Sequence, residues 1–290
     1  MQTIKFHKTD CGVDFLLNVL NHDAIKARHS LTDRYNTDCF EVLFFKKGKG
    51  KVLIHEQQIE IHDYSIVFLS PFQERSWQLE AGQEDFTLLI FQEDFLNEFF
   101  ADKLFTYKLL YFYQHNYPVT IQVTPQALEH YCSSLQEIKS ELVQVQPDSA
   151  HIIRSLVYYL LQKLNRAYAQ AYALPLEQAQ DHYAFQYKKL LEQHIKQKQR
   201  VEDYTALLGI SRITLNKAVK DQFHVTAVQL LKQRLLFEIK HYLLYTDLTV
   251  AAIADALNFS ESNHLMRFFK SQTGQTTSEY LAAYQNGRNR

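Results

Sequence analysis

The sequence predicts an α+β fold: a β-rich N-terminal domain with flanking helices, then an all-α domain of two helix–turn–helix units joined by a long helix. Three observations carry this reading. The first hundred residues fall into short aromatic and β-branched runs separated by turn residues. From about Glu93 onward, apolar residues recur at three- and four-residue steps, the helical period. Finally, residues 201–230 are echoed by residues 250–280, so one supersecondary unit occurs twice.

The strands come first. Cys39–Phe45 (CFEVLFF) is an aromatic run, and Lys46–Lys51 (KKGKGK) supplies two glycines for a tight turn. Val52–His55 then resumes an extended pattern, so the three pieces read as a hairpin. Gln58–Ile61 alternates polar with apolar, Ser65–Leu69 (SIVFL) is an apolar strand stopped by Ser70 and Pro71, and Phe86–Phe91 (FTLLIF) is another. Short strands of this kind suggest a sandwich or a barrel.

Helices follow at Gln126–Val145 and Ala150–Ala171. In the second, Ile152, Ile153, Leu156, Tyr159, Leu160 and Leu164 mark an apolar face. That face reads as intradomain core, with a dimer seam as the alternative. Pro175 interrupts the pattern. The expected organisation is a domain over 1–173, a linker over 174–183 and a helical domain over 184–290. A length of 290 residues with 46% apolar content suits two such domains.

In the repeat, Val201, Leu208 and Ser211 match Val250, Leu257 and Ser260 at an offset of 49. One inserted residue makes the offset 50, at which Leu215, Lys217, Lys220, Gln222 and Thr226 match Leu265, Arg267, Lys270, Gln272 and Thr276. In copy one, Tyr204, Leu207 and Leu208 build the apolar face of the first helix. Gly209 ends it, and Ser211 caps the second. Leu215, Ala218 and Val219 face inward. In copy two, Asn258 takes the Gly209 position, which asparagine tolerates in the left-handed conformation, and Leu265, Phe268 and Phe269 face inward. Thr226-x-x-Gln229 and Thr276-x-x-Glu279 are capping boxes at equivalent places. Between the copies, Val228, Leu231, Leu235, Ile239 and Leu243 predict a long amphipathic helix.

Charge agrees with a nucleic-acid partner for the second half. Residues 184–290 hold 15 Lys and Arg against 9 Asp and Glu, whereas residues 1–183 hold 16 against 23. The net values of +6 and −7 hide inside a total of −1. A helix fits the major groove, and its exposed side chains reach base edges. The candidates in copy one are Arg212, Ile213, Asn216 and Lys217; in copy two they are Ser262, Asn263, His264 and Arg267. Asparagine pairs with adenine through two hydrogen bonds, Arg and Lys pair with guanine, and Ile213 suits a thymine methyl. Lys220 and Lys270, one turn further on, suit phosphates.

These residues resemble the AraC family of bacterial regulators over roughly Phe185–Tyr284, most closely in IADALNFSESNHLMRFFKSQTGQTTSEY. Departures from the family pattern are Asn258 for glycine, Thr277 for proline, Val219 for phenylalanine and Phe223–His224 for a Thr-Gly pair. The resemblance also identifies residues 39–79 with a cupin-like β-barrel, the usual N-terminal domain of such chains. It implies double-stranded DNA and RNA polymerase as partners, a small-molecule effector of undisclosed identity, and a homodimer. An apolar pocket inside the barrel is expected, with Phe44, Val67, Trp77 and Leu89 as candidate lining. Metal-binding cupins use a His-x-His pair, a glutamate and a later histidine. Here Arg34, Asn36 and Arg75 stand at the histidine positions and only Glu41 remains, so no metal or other cofactor is expected. His29, His55 and His62 lack the spacing.

The expected function is therefore that of a sequence-specific, effector-responsive transcription regulator, with activation as its mode, and not an enzyme. The alternatives are a cupin-type enzyme with an appended helical domain, or a regulator that no longer senses a small molecule. No Gly-x-Ser-x-Gly elbow, phosphate loop or HExxH pattern occurs. Cys11, Cys39 and Cys132 are too few and too scattered for a disulfide framework. A membrane helix needs roughly twenty apolar residues in a row, which no segment offers. With no signal-peptide layout at MQTIKFHKTD, a cytoplasmic protein without membrane attachment is expected.

Overall fold

A computed structural model of the chain describes residues 2–4, 17–23, 34–54, 57–80, 82, 84–97, 104–113, 117–176 and 182–288. Cys11, His29, His55 and residues 177–181 of the expected linker lie outside the described residues. The chain divides into two compact units, Met1–Ala179 and Gln180–Arg290.

The N-terminal unit holds two five-stranded sheets. One has the order β1 (Gln2–Ile4), β3 (Tyr35–Thr37), β8 (Arg75–Leu79), β5 (Gly50–Ile54), β6 (Gln57–Ile61). The other runs β10 (Thr120–Gln122), β7 (Ser65–Leu69), β4 (Phe40–Lys47), β9 (Asp85–Phe91), β2 (Leu17–Asn21). Pairing is antiparallel except between β1 and β3.

Side chains alternate across each strand, and β4 shows the consequence. Its Leu43 and Phe45 join Val67, Leu69, Phe86 and Leu88 of the same sheet, and Val52, Ile59, Ile61 and Trp77 of the other, in a core between the sheets. Its Phe40, Val42 and Phe44 point the opposite way, into a second core under helices. The α+β class is as the sequence predicts. The expected barrel takes the form of two sheets packed face to face, and among the described residues no hydrogen-bonded ladder joins one to the other.

One local expectation is corrected. Lys46–Lys51 does not close a hairpin, because β4 and β5 belong to different sheets. The segment is a corner. Gly50 adopts φ 133°, and a Cβ there would stand 2.2 Å from the Gln78 carbonyl oxygen. The glycine thus permits close approach to β8 rather than a two-strand turn. The hairpin forms one strand later, between β5 and β6.

The helices of this unit are α1 (Glu93–Asn97), α2 (Leu110–Tyr113), α3 (Pro125–Val143) and α4 (Ser149–Ala171), with a short 3₁₀ turn at Thr106–Lys108. Thr124 caps α3 by accepting from the Ala127 N–H. On α4 the buried stripe is Ile153, Val157, Leu160, Leu161, Leu164 and Tyr168. Ile152 and Tyr159, expected on that face, are exposed. Phe68 stacks on Tyr111 at 4.1 Å between centroids, which ties β7 to α2. Burial of one such ring contributes about 1.5–3 kcal/mol.

The C-terminal unit is all helix: α5 (Tyr183–His194), α6 (Val201–Leu208), α7 (Arg212–Phe223), α8 (Ala227–Tyr245), α9 (Val250–Ala256), α10 (Ser262–Thr273) and α11 (Thr277–Arg288). Helix α8 buries Leu230, Leu231, Leu235, Ile239 and Leu243, while Val228 is half-buried. A buried ion network fastens α8 to α5: Arg234 Nε stands 2.7 Å from Glu192, and Arg234 Nη2 stands 2.5 Å from Glu238. Removing one partner of such a set strands a buried charge, at a cost of about 3–5 kcal/mol.

Candidate nucleic-acid interface

The two copies are built by the same local chemistry. In copy one, α6 ends on Gly209 at φ 65°, and Ser211 Oγ accepts from the Thr214 N–H to start α7. In copy two, α9 is capped by Thr249, which accepts from the Ala252 N–H, and Asn258 takes the left-handed conformation at φ 56°. The inserted residue shifts the next cap. Helix α10 starts after Glu261, whose side chain makes no capping bond, and Ser260 Oγ lies 2.7 Å from His264 Nδ1 instead. Both capping boxes are formed. Thr226 and Gln229 start α8, and Thr276 and Glu279 start α11.

The inward faces match closely. Tyr204 and Ile253 are buried at equivalent places in the first helices, as are Leu215 with Val219 and Leu265 with Phe269 in the second. Ala218 and Phe268 are half-buried. Leu207, expected on the inner face of α6, is 49% exposed, and Leu208 is half-buried. A short helix of two turns buries only the narrow stripe through Val201 and Tyr204.

The outward faces differ between copies. On α7, Arg212, Ile213, Lys217 and Lys220 are exposed, Ile213 at 83%. Arg212 Nη1 bonds to Glu202 Oε1 of α6 at 2.8 Å. Asn216 departs from expectation. It is half-buried, and its Oδ1 accepts from the Ala227 N–H at the start of α8, at 3.1 Å. A carbonyl held this way is unavailable for two-point pairing with adenine. The contact joins residues eleven apart and depends on how α7 and α8 cross, so no local sequence signal marks it. On α10, Asn263, His264, Arg267 and Lys270 are exposed and Ser262 is half-exposed. Met266, at the position equivalent to Asn216, is 39% exposed and joins this face.

The candidate lining of the N-terminal unit does not converge on one space. Val67 and Trp77 belong to the core between the sheets, whereas Phe44 and Leu89 belong to the helix-covered core on the opposite face of the second sheet. Strand alternation separates them, since Phe44 and Val67 sit one residue out of phase on paired strands. A cavity of about 480 Å³ lies elsewhere, beside β2, and is lined among others by His22, Glu84, Asp85, Gln136 and Lys139.

Between the sheets, Arg75 is fully buried. Its Nη2 stands 2.5 Å from Glu41 and 2.9 Å from Thr37 Oγ1, and its Nη1 donates to the Gln73 carbonyl at 3.0 Å. The Tyr35 ring covers the guanidinium at 4.8 Å, and Trp77 Nε1 donates to the Tyr35 hydroxyl. Burial pushes the Tyr35 hydroxyl above its ordinary value, and burial, reinforced by Glu41, pushes the Cys39 thiol well up. The one carboxylate left at a metal-ligand position is thus engaged by Arg75. Of the other two positions, Arg34 pairs on the surface with Glu74 and Asn36 is buried. His62 is exposed.

The second unit thus consists of two helix-turn-helix units joined by α8. Residues 204–283 match a family model described as a helix-turn-helix domain. No curated protein matches the chain. Among solved structures, ToxT from Vibrio cholerae aligns with 93% of this chain and 98% of its own at 16% identity and a TM-score of 0.44. The DNA-binding domain of AdpA, solved with a target DNA, aligns with 38% of this chain and 99% of its own at 21% identity and a TM-score of 0.35. The xylose-binding transcription activator XylR aligns with 45% of this chain and 39% of its own at 19% identity and a TM-score of 0.31. Among the described residues, no helix is long and apolar enough to cross a membrane.

Proposed function

We propose that the chain is a sequence-specific, DNA-binding transcription regulator that reads two successive major-groove segments, one with α7 and one with α10. One observation carries this reading. Two helices of twelve residues, each started on an ordered turn, expose cations at matched positions: Lys217 and Lys220 on one, Arg267 and Lys270 on the other. Copy two is the better reader, because Asn263, His264 and Arg267 are all on its open face. In copy one, Lys217, Lys220 and Arg212 supply phosphate contacts, and Ile213 supplies an apolar contact to a thymine methyl. The N-terminal unit governs activity in response to a small molecule, and the protein works in the cytoplasm as a homodimer that activates through RNA polymerase.

The test is selection of duplexes by the full-length protein from a random pool. A recurrent motif in two parts, about one helical turn apart, is the expected result. Enrichment of no motif refutes the reading.

A second reading, regulation without a small molecule, is favoured by the packing of Val67 and Trp77, which are 0% and 3% exposed within the core between the sheets. Native mass spectrometry of the freshly isolated protein distinguishes the two. A stoichiometric small molecule supports the sensor, and a bare chain whose DNA affinity is unchanged by cell extract supports the alternative.

A further inference from the structure

The turn between α5 and α6, residues 195–200, is fastened to three elements at once. Lys196 Nζ donates to the Tyr242 hydroxyl of α8 at 3.2 Å and stands 3.7 Å from Glu238 of the same helix. The Tyr204 hydroxyl of α6 donates to the Lys198 carbonyl at 2.7 Å. Two further bonds reach the other copy of the repeat. Gln199 Nε2 donates to the carbonyl of Leu257 at the end of α9, and Asn258 Nδ2 donates to the Gln197 carbonyl at 3.3 Å.

The conformation of Asn258 does not require these bonds. Its φ of 56° is one that glycine adopts with less strain, and copy one carries Gly209 at the same place at φ 65°. What asparagine adds is a side-chain amide directed at the turn that leads into copy one. Gln199 in turn satisfies one of the carbonyls that every helix leaves open at its C-terminal end. A second fastening between the copies therefore exists besides α8, and the recognition helices are not part of it.

We propose that Gln199 and Asn258 are positioning residues for DNA recognition, clamping copy two against copy one so that α7 and α10 meet the duplex at one fixed separation and angle. This rests on the reading of the chain as a regulator that uses both copies. Two readers held on one rigid body bind both halves of a site without a further loss of orientational freedom. Loosened readers keep their own base contacts and lose only the benefit of being linked. The signature is discrimination by spacing, since one inserted base pair displaces the second half by about 3.4 Å and turns it by about a tenth of a turn.

The experiment compares the full-length protein with Asn258→Gly and Gln199→Ala on three duplexes: the one selected by the wild-type protein, the same with one base pair inserted between its halves, and the same with one half scrambled. The wild-type protein is expected to lose about tenfold or more on insertion, and the variants about threefold or less. On the selected duplex the variants bind several-fold more weakly, while their affinity for the half-scrambled duplex stays within about twofold of wild type. Variants that keep the wild-type insertion penalty overturn the proposal. So does parallel loss on all three duplexes, which marks a folding defect; Asn258→Gly guards against that by keeping the backbone conformation. Failure of the wild-type protein to select any duplex refutes the DNA-binding reading itself, and this proposal with it.

Discussion

At the scale of single residues, the outward faces of α7 and α10 show how much a polar side chain's role depends on what lies within its reach. Arg267 is exposed, and among the described residues its partner is its own helix, since its Nε lies 3.4 Å from the Asn263 carbonyl. Asn216 faces the start of the next helix and holds the Ala227 N–H. The two therefore respond differently to truncation. Arg267→Ala is expected to leave thermal unfolding unchanged while costing about 1–3 kcal/mol in binding to the selected duplex, with specificity relaxed at one base pair. Asn216→Ala is expected to cost about 1 kcal/mol of stability by leaving the Ala227 N–H without its partner. Calorimetry and binding titrations of both variants check the pair, and a destabilised Arg267→Ala protein with unaltered DNA binding reverses the assignment. Spacing made the cations legible in the sequence, because a three- or four-residue step places them on the face opposite Leu215 or Leu265. The turn of Asn216 toward a helix start eleven residues later was not legible, because it depends on how α7 and α8 cross.

At the scale of elements, periods of two and of 3.6 residues located the long strands β4, β5, β6, β7 and β9 and the long helices, but not β1, β2, β3, β8, β10 or the short helices α1 and α2, and partners across strands were harder to assign. The corner at Lys46–Lys51 has the composition of a hairpin turn, and only the crowding at Gly50 against β8 distinguishes the two. The same limit separated Phe44 and Leu89 from Val67 and Trp77, since the apolar run of β4 is buried on both faces and gives no inside or outside. The two capping boxes were legible, and they carry a consequence for pH. The two boxes differ in one atom type: Gln229 closes the box of α8, and Glu279 closes that of α11. Hydrogen bonds from the backbone and side chain of Thr276 hold the Glu279 carboxyl below its ordinary value. A carboxyl with a depressed folded value contributes stability that is complete above the unfolded value and is lost as pH falls through the folded one. Protection of the Thr276 amide against hydrogen exchange, corrected for intrinsic rates, is thus expected to drop below the ordinary carboxylate range while that of the Thr226 amide persists. Glu279→Gln should make the two amides behave alike. Equal acid sensitivity of both amides in the wild-type protein contradicts the argument.

At the scale of the whole molecule, a chain of net charge −1 is proposed to bind a polyanion, and the division of charge explains how. The basic C-terminal unit presents Lys217 and Lys220 on α7 and Arg267 and Lys270 on α10, and each phosphate neutralised contributes about −0.9 to the slope of log affinity against log salt. With Arg267 at a base edge, phosphate contacts from Lys217, Lys220 and Lys270 predict a slope of about −3 for the full-length protein. Arg212 stands apart because its guanidinium is already matched to Glu202 on the preceding helix, at 2.8 Å, with both side chains mostly exposed. Such surface pairs are weak, so Glu202 competes with phosphate for Arg212 without preventing the contact. Glu202→Gln removes the competitor and one negative charge from the same face. The variant is expected to bind the selected duplex more tightly at low salt, with a slope steeper by up to about 1, and to converge on wild type as salt screens both charges. Lys220→Ala and Lys270→Ala should each flatten the slope by about 1 and weaken binding to all sequences alike. If Glu202→Gln leaves the slope unchanged while the lysine variants flatten it, Arg212 does not meet the backbone, and copy one is positioned by Lys217 and Lys220 alone.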